Sequence, residues 1–387
     1  MSLGLSGNRI RLVGSAVTTL LAVVALAACG SSSSSSSATS SGGAASGGSS
    51  SGSTSTAAAT TTGSSAKTVH LAMIVADSTE NAFQEMSNGA VSAAAHIPGV
   101  KLSTAAPAAV NPSQEVQMFQ AAQQNSHDGI ALMTVTPPAF VRPFSQAVAA
   151  GVPVVAVDAP GLPGSNVTTF VGNSNTEIGA GVATAMLAKI PANATGTVVI
   201  GNPIPGLPLL QARINGFVGV LKAKRPGLKI AGPFNVGNEP TDNYNHWNAL
   251  LQKYPNGVAY FDPGDQGAIS LARIEKTTGK KLLVGACDVD PAALQGVKNG
   301  YVYVLGDPHH FLKGYIAITL LAQHAQQGKP LPTGWFNPGF GLVTAANIDQ
   351  IISREQNNQT RYAYYAPILQ KELATPSAYI KPLSQAN

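Results

Sequence analysis

The chain has 387 residues, a formal net charge of +5 and only two cysteines. Without its low-complexity leader it is still longer than one hydrophobic core usually grows, so we expect two domains. The charge is too weak and too dispersed to indicate nucleic-acid binding. Cys29 and Cys287 allow neither a zinc site nor a disulfide framework.

The first 28 residues have the layout of a secretory signal, a short basic segment followed by an apolar run. The run ends in Leu26-Ala27-Ala28-Cys29, which resembles the bacterial lipobox, where the cysteine becomes the lipidated first residue of the mature protein. A plain signal peptide with a chance cysteine is the alternative. Residues 29–66 continue almost wholly as Ser, Gly, Ala and Thr, which predicts a flexible tether after the lipidated cysteine.

Strand-like and helix-like segments then alternate at the spacing of βαβ units. The predicted strands are 71–76, 129–135, 152–158, 168–172, 196–201, 228–234, 258–262, 282–287 and 301–306. The predicted helices are 83–96, 113–125, 140–150, 176–190, 209–223, 242–253, 267–278, 291–299 and 312–327. Several strands are apolar throughout, as parallel strands covered on both faces are. The pattern therefore predicts an open α/β fold.

Polar residues recur at the carboxyl ends of these strands, where open α/β sheets bind ligands. They are Asp77, Thr136, Asp158, Asn173, Asn202, Asp262, Asp288 and Asp307. Carboxylates and amides are suited to hydrogen-bonding hydroxyl groups. The sequence contains no glycine-rich phosphate motif, no zinc-protease motif and no nucleophile elbow. The pattern favours a binding protein, and we expect no cofactor, no metal and no catalytic residue.

Short motifs follow one another in a fixed order over residues 69–380. They are Asn81-Ala82-Phe83, the run 149–158, Arg213-x-x-Gly216-Phe217, the strand end 284–288, Gly314-Tyr315, and Leu342-Val343-Thr344 with Asn347-Ile348-Asp349. In this order the sequence resembles type I periplasmic binding proteins of the ribose/galactose class, the substrate-binding lipoproteins of ABC sugar transporters. The resemblance implies two doubly wound, Rossmann-like parallel-sheet lobes joined by three hinge crossings, with ligand bound between them. It implies a first lobe of residues 67–173 plus 307–331 and a second of 174–306 plus 332–387.

The resemblance also implies a set of ligand-binding residues. In this set Phe83 stacks on a sugar ring, while Asp158 and Asp288 bind hydroxyl groups. The full set is Asn81, Phe83, Thr136, Asp158, Gln211, Asp262, Asp288 and His309. Ala159 and Gln211 stand where ribose-binding relatives have arginines. This difference predicts that the site recognises its ligand through contacts other than those that bind ribose. The alternatives are ordinary roles: a helix cap or surface position for the polar residues, and a core position for Phe83.

The leading functional hypothesis is an extracytoplasmic receptor, attached to the bacterial cell membrane only through its N-terminal lipid. We expect a monomer that captures a sugar or polyol and delivers it to the permease subunits of an ABC importer. A sensor of the same fold, presenting its closed form to a membrane signalling receptor, is the alternative. An extracellular enzyme and a transcription regulator are disfavoured because the chain lacks a recognisable nucleophile–base pair and an N-terminal DNA-binding helix pair.

Overall fold

The structure is a computed structural model, and it describes residues 66–386. The predicted signal peptide, the predicted lipidation site Cys29 and almost all of the predicted tether lie outside this range. Within residues 66–386, no helix has the length and apolar character needed to cross a membrane.

Strands and helices alternate along the described chain. The strands are β1 (Val69–Ile74), β2 (Val100–Ala105), β3 (Gly129–Met133), β4 (Val154–Val157), β5 (Thr169–Val171), β6 (Gly196–Asn202), β7 (Leu228–Asn235), β8 (Ala259–Asp262), β9 (Val284–Cys287), β10 (Val304–Asp307), β11 (Gly334–Phe336), β12 (Gly341–Val343) and β13 (Ile380–Lys381). The α-helices are α1 (Asn81–His96), α2 (Pro112–Asn125), α3 (Val141–Ala149), α4 (Asn175–Leu187), α5 (Pro208–Lys224), α6 (Pro240–Lys253), α7 (Gln266–Thr278), α8 (Pro291–Lys298), α9 (His310–Gln327), α10 (Ile348–Arg354) and α11 (Asn358–Ala374). All nine predicted strands and all nine predicted helices are present, with shifted ends.

The strands form two sheets. The first has the order β13-β11-β5-β4-β3-β1-β2, and the second has the order β12-β10-β9-β8-β6-β7. Every pairing is parallel except those of the two outer strands, β13 and β12, which are antiparallel to their neighbours. The first strand of each lobe, β1 or β6, lies between the second and third strands of that lobe, so each sheet is doubly wound. The predicted fold class is confirmed.

Helices cover both faces of each sheet, which explains the uninterrupted apolar strands. In the first lobe, Phe119 and Phe144 from α2 and α3 pack on one face, and α1, α9 and α11 pack on the other. In the second lobe, α4 and α5 pack on one face through Ile178 and Phe217, and α6, α7 and α8 pack on the other. Each sheet thus sits at the centre of a three-layer lobe.

Glycines allow one pair of helices in each lobe to pack in backbone contact. A Cβ at Gly314 of α9 would overlap the Met86 carbonyl oxygen of α1, and Gly89 of α1 has the same relation to α9. In the second lobe, Gly179 of α4 and Gly216 of α5 pack in the same manner. These contacts fix the helices α9 and α5, whose first turns reach the space between the lobes.

The chain crosses between the lobes four times, at residues 172–174, 308–309, 337–340 and 355–357. The sequence predicted three crossings and assigned all of 332–387 to the second lobe, and this boundary needs correction. Strand β11 pairs with β5, β13 pairs with β11, and α11 packs on α1 and α9, all in the first lobe. Only β12 and α10 of the C-terminal segment join the second lobe, where β12 pairs with β10.

Candidate ligand-binding site

A cavity of about 660 Å³, including the space at its mouth, lies between the carboxyl ends of the two sheets. Loops that follow strands of both sheets line it, which is where open α/β sheets bind ligands. The lining residues are Glu80, Ala82, Phe83, Val110, Met133, Val135 and Asp158 with His310 from the first lobe, and Pro203, Ile204, Leu207, Leu209, Leu210, Arg213, Asn238, Gly264, Asp265 and Asp288 from the second.

Asp158 and Asp288 occupy equivalent positions at the base of this cavity. Each follows the fourth strand of its lobe, β4 or β9, and each adopts a left-handed backbone conformation, with φ of 61° and 69°. Each also donates its backbone N–H to the next strand, to Val171 and Gly306 respectively. Left-handed conformations cost free energy for residues other than glycine, and such strain concentrates at functional sites. The fold therefore places one buried carboxylate from each lobe at the cavity base.

Basic side chains hold both carboxylates. Lys313, on α9, donates to Asp158 within the first lobe. Arg213, on α5, donates through Nη1 to Oδ2 of Asp288 at 2.7 Å. Arginine and lysine side chains are positively charged hydrogen-bond donors, so each carboxylate has a partner of opposite charge. Neither carboxylate is therefore an uncompensated charge in the low-dielectric interior, where such a charge would cost free energy.

His310 connects the two ion pairs across the lobes. Its Nδ1 lies 3.2 Å from Nζ of Lys313, and its Nε2 lies 2.9 Å from Oδ1 of Asp288. Since an ammonium group can only donate, Nδ1 accepts from Lys313 and Nε2 donates to Asp288. We call the five residues Asp158, Lys313, His310, Asp288 and Arg213 the base network.

Charges in the base network control how its carboxylates titrate. Burial would raise the pKa of Asp158, but the charge of Lys313 and its hydrogen bond to this carboxylate, with a further contribution from Arg213, hold that pKa below its usual value. Burial is likewise outweighed at Asp288, whose pKa is lowered by Arg213 and His310. Both carboxylates are therefore ionised at neutral pH and available as hydrogen-bond acceptors.

Two further carboxylates, Glu80 and Asp265, line the cavity and have no basic partner within residues 66–386. Asn238 of the second lobe donates to Oε1 of Glu80 of the first lobe at 2.6 Å, which is a second contact between the lobes. Burial raises the pKa of Glu80 despite this hydrogen bond, and Asp77 and Asp288 add to the rise. Burial also raises the pKa of Asp265 well above its ordinary value, with further contributions from Asp288 and Glu80. These groups supply additional polar contacts beside the base network.

Three of the eight predicted ligand-binding residues, Phe83, Asp158 and Asp288, line the cavity. Phe83 is half-buried and also packs against the core of the first lobe, so both readings of this residue hold in part. Asn81 and Thr136 lie outside the lining. The Asn81 amide donates to Glu85 within α1, and Thr136 is hydrogen-bonded to Thr134.

Gln211, Asp262 and His309 also lie outside the lining. Gln211 is exposed and bonds Asn215 on its own helix, because two helical positions separate it from the buried Arg213 by about 200°. Asp262 is completely buried behind the cavity, where it accepts hydrogen bonds from the Trp247 indole and the Gly264 backbone. Burial raises the pKa of Asp262 to about 7.

His309 precedes α9 in a left-handed conformation and packs edge-on against Tyr365. The next residue, His310, reaches the cavity instead. The sequence patterns do not predict a part in binding for Arg213 or for Lys313. A basic residue inside the apolar run Phe311–Ala322 was the available sign that Lys313 has a buried acidic partner.

This arrangement suits an uncharged ligand with hydroxyl groups. Carboxylates accept hydrogen bonds from hydroxyls, the Phe83 ring offers an apolar face, and the basic side chains hold the acceptors in place. Among residues 66–386, no group of three or more His, Cys, Asp or Glu side chains is placed to hold a metal ion.

Comparison with known proteins identifies the family. The family model described as "Periplasmic binding protein domain" matches residues 71–330. The chain belongs to this family. The resemblance to type I periplasmic binding proteins of the ribose/galactose class is thereby confirmed, and a location outside the cytoplasm follows from the family.

Relatives of this periplasmic binding protein include curated and solved proteins. It is 26% identical over 260 residues to the D-allose-binding periplasmic protein of Escherichia coli, covering 64% of this chain and 81% of the relative. It is 24% identical to a xylose/arabinose-binding protein of Sulfolobus acidocaldarius, covering 64% of each. An ABC transporter solute binding protein of Burkholderia graminis, crystallised with D-arabinose, is 26% identical with a TM-score of 0.66, over 73% of this chain and 97% of that one.

Proposed function

We propose that this chain is the solute-binding component of an ABC importer and that it captures a sugar or polyol between its two lobes. The observation that carries the proposal is the base network, which presents one ionised carboxylate from each lobe to the same cavity. A ligand that bonds both carboxylates joins the lobes, so its binding energy favours the closed arrangement.

The names of the relatives support this ligand class and the role in transport. The curated relatives are binding proteins for allose and for xylose or arabinose, and the solved relative is an ABC transporter protein. They are binding proteins rather than enzymes, which supports a non-catalytic role here. They also favour delivery to a permease over the sensing alternative.

A thermal-shift screen of the full chain against pentoses, hexoses, inositols and sugar alcohols tests the ligand class. A ligand that binds only the folded state raises the unfolding temperature. At a concentration one hundred times its Kd, such a ligand adds about 2.7 kcal/mol to the free energy of unfolding. We expect at least one member of the panel to produce such a shift. A panel without any stabilising compound would contradict the proposal.

We also propose that the chain is lipid-anchored at Cys29, a residue outside the described range. The lipobox-like sequence before Cys29 and the Ser/Gly-rich segment after it support this attachment. In the native cells, Cys29→Ala should abolish labelling by a radioactive fatty acid and release the protein from the membrane fraction. Retention of both the label and the membrane association would exclude Cys29 as the lipidation site.

A further inference from the structure

More than half of the side chains that line the cavity are apolar. Ten of the lining side chains are apolar, and five of these come from the short segment 203–210 of the second lobe. The Asn202 side chain accepts from the backbone N–H of Ile204 at 3.1 Å, and Leu207 donates its backbone N–H to the carbonyl of Ile204. The apolar wall is therefore held in place by the fold.

Exposure changes from the base of the cavity to its mouth. Asp158, Arg213, Asp288 and His310 are all at least nine-tenths buried, so the base network is far from solvent. Among the lining residues only Val110 and Ile204 are strongly exposed, at 46% and 37%. The base network is thus buried in the cavity, and two of the apolar lining side chains are exposed where the cavity opens to solvent.

Val110 and Ile204 are unusual in the whole described molecule. In residues 66–386 the exposed large apolar side chains are these two and Val91, which lies on α1 and outside the cavity lining. Val110 belongs to the first lobe and Ile204 to the second, so each lobe contributes one to the mouth. Both side chains line the same cavity, so a ligand that fills its opening would shield both of them from water.

We propose that the ligand is a sugar that carries an apolar substituent, an alkyl or aryl glycoside. This inference rests on the proposed function, because the sugar ring occupies the base network. The substituent extends between Val110 and Ile204, where it shields both side chains from water. A free sugar lacks this substituent and would leave the Val110 and Ile204 side chains exposed to water.

Calorimetry on the full chain tests the inference with defined probes. They are D-xylose, L-arabinose, D-glucose and D-galactose, each as the free sugar and as its methyl, butyl and phenyl glycosides in both anomeric forms. Each fully buried methylene strengthens binding about fourfold. Since the mouth is partly open, we expect the butyl glycoside to bind about tenfold more tightly than the methyl glycoside.

Three variants locate the effect. In Val110→Ser and in Ile204→Ser, the ratio of Kd for the methyl glycoside to Kd for the butyl glycoside should fall at least about threefold, because apolar contact area is lost. Val91→Ser should leave this ratio unchanged, since Val91 is similarly exposed but outside the cavity. Unfolding temperatures of the variants confirm that each one is folded, and either mouth variant alone suffices for the comparison.

The outcomes separate the inference from the proposed function. If a free sugar binds and its butyl and phenyl glycosides bind no more tightly than the methyl glycoside, the inference is wrong and the proposed function stands. A butyl gain that survives in both mouth variants also overturns the inference. If neither the free sugars nor the glycosides bind, the inference and the proposed ligand class fail together.

Discussion

The carboxylates of Asp158 and Asp288 each depend on a basic partner. Their position at the carboxyl end of a sheet could be predicted from the sequence, because each directly follows an apolar strand. Their basic partners could not, because Lys313 and Arg213 lie inside helices and meet the carboxylates only after folding. Similarly, whether His309 or His310 reaches the cavity depends on the left-handed turn at His309. Sequence spacing does not specify that turn.

Lys313→Met should destabilise the protein by about 3–5 kcal/mol at pH 7.5, because Asp158 is then a buried charge without a partner. In the native protein the pKa of Asp158 is lowered, so its contribution is present at neutral pH and is lost as pH falls below about 4. In the variant, burial raises this pKa, and the deficit should therefore be smaller at pH 5 than at pH 7.5. Urea unfolding at both pH values measures this.

Lys298→Met is the matched control, since Lys298 pairs with Asp349 on the exposed surface. Such pairs contribute at most about 1 kcal/mol, with little pH dependence over this range. Adding Asp158→Asn to Lys313→Met should recover part of the lost stability. Native stability of Lys313→Met at pH 7.5 would show that Asp158 does not depend on the lysine.

Phe83→Ala should weaken sugar binding about tenfold while leaving the protein folded, because the half-buried ring lines the cavity and packs only partly against the core. Calorimetry with the sugar found by the screen measures the change in Kd. Val91→Ala on the same helix is the control and should leave Kd unchanged. Unaltered binding by Phe83→Ala would assign the ring to the core alone.

At the scale of elements, the close packing of α1 on α9 and of α4 on α5 positions the basic side chains of the base network. Their glycines were visible in the sequence, and Gly216 and Gly314 belong to the motifs that carried the resemblance. Their physical role, backbone contact between helices, requires the folded partner. The elements missed by sequence reasoning are short or irregular. Strand β2 is a largely exposed edge strand, β13 has two residues, and α11 contains Pro367.

Gly314→Ala should lower the free energy of unfolding by about 1–3 kcal/mol, because its methyl group would overlap the Met86 carbonyl and force α9 away from α1. Gly219→Ala on α5 is the matched control, since a Cβ there meets no atom within 4 Å. The control should be neutral or gain about 0.5–1 kcal/mol, because alanine restricts the unfolded chain. Equal stabilities for the two variants, measured by chemical denaturation, would contradict the close packing.

At the scale of the whole molecule, two contacts join the lobes across the cavity. They are the hydrogen bond of Asn238 to Glu80 and that of His310 to Asp288. The two-lobed architecture could be predicted from the order of strands and motifs. The fourth crossing could not be predicted in this way. It depends on α11 packing on the first lobe and on β13 pairing there, after the chain has already passed into the second lobe.

The double variant Asn238→Ala/His310→Ala should shift the ligand-free protein toward an open arrangement. Each hydrogen bond contributes about 0.5–1.5 kcal/mol net, so the loss of both should raise the ratio of open to closed molecules by a factor of about 5 to about 150. Small-angle X-ray scattering should then show a larger radius of gyration than for the native chain. Gln211→Ala, which removes an exposed contact within α5, should leave the scattering curve unchanged. If the double variant scattered like the native chain, these two contacts would not hold the lobes together.

We propose that a sugar binds between the lobes, in contact with the carboxylates of the base network. A crystal structure of the protein with the sugar that gives the largest thermal shift tests this binding mode most directly. We predict electron density for the sugar in the cavity, with hydroxyl groups within hydrogen-bonding distance of Asp158 and Asp288. Density for the sugar elsewhere on the molecule, with this cavity empty, would contradict the claim.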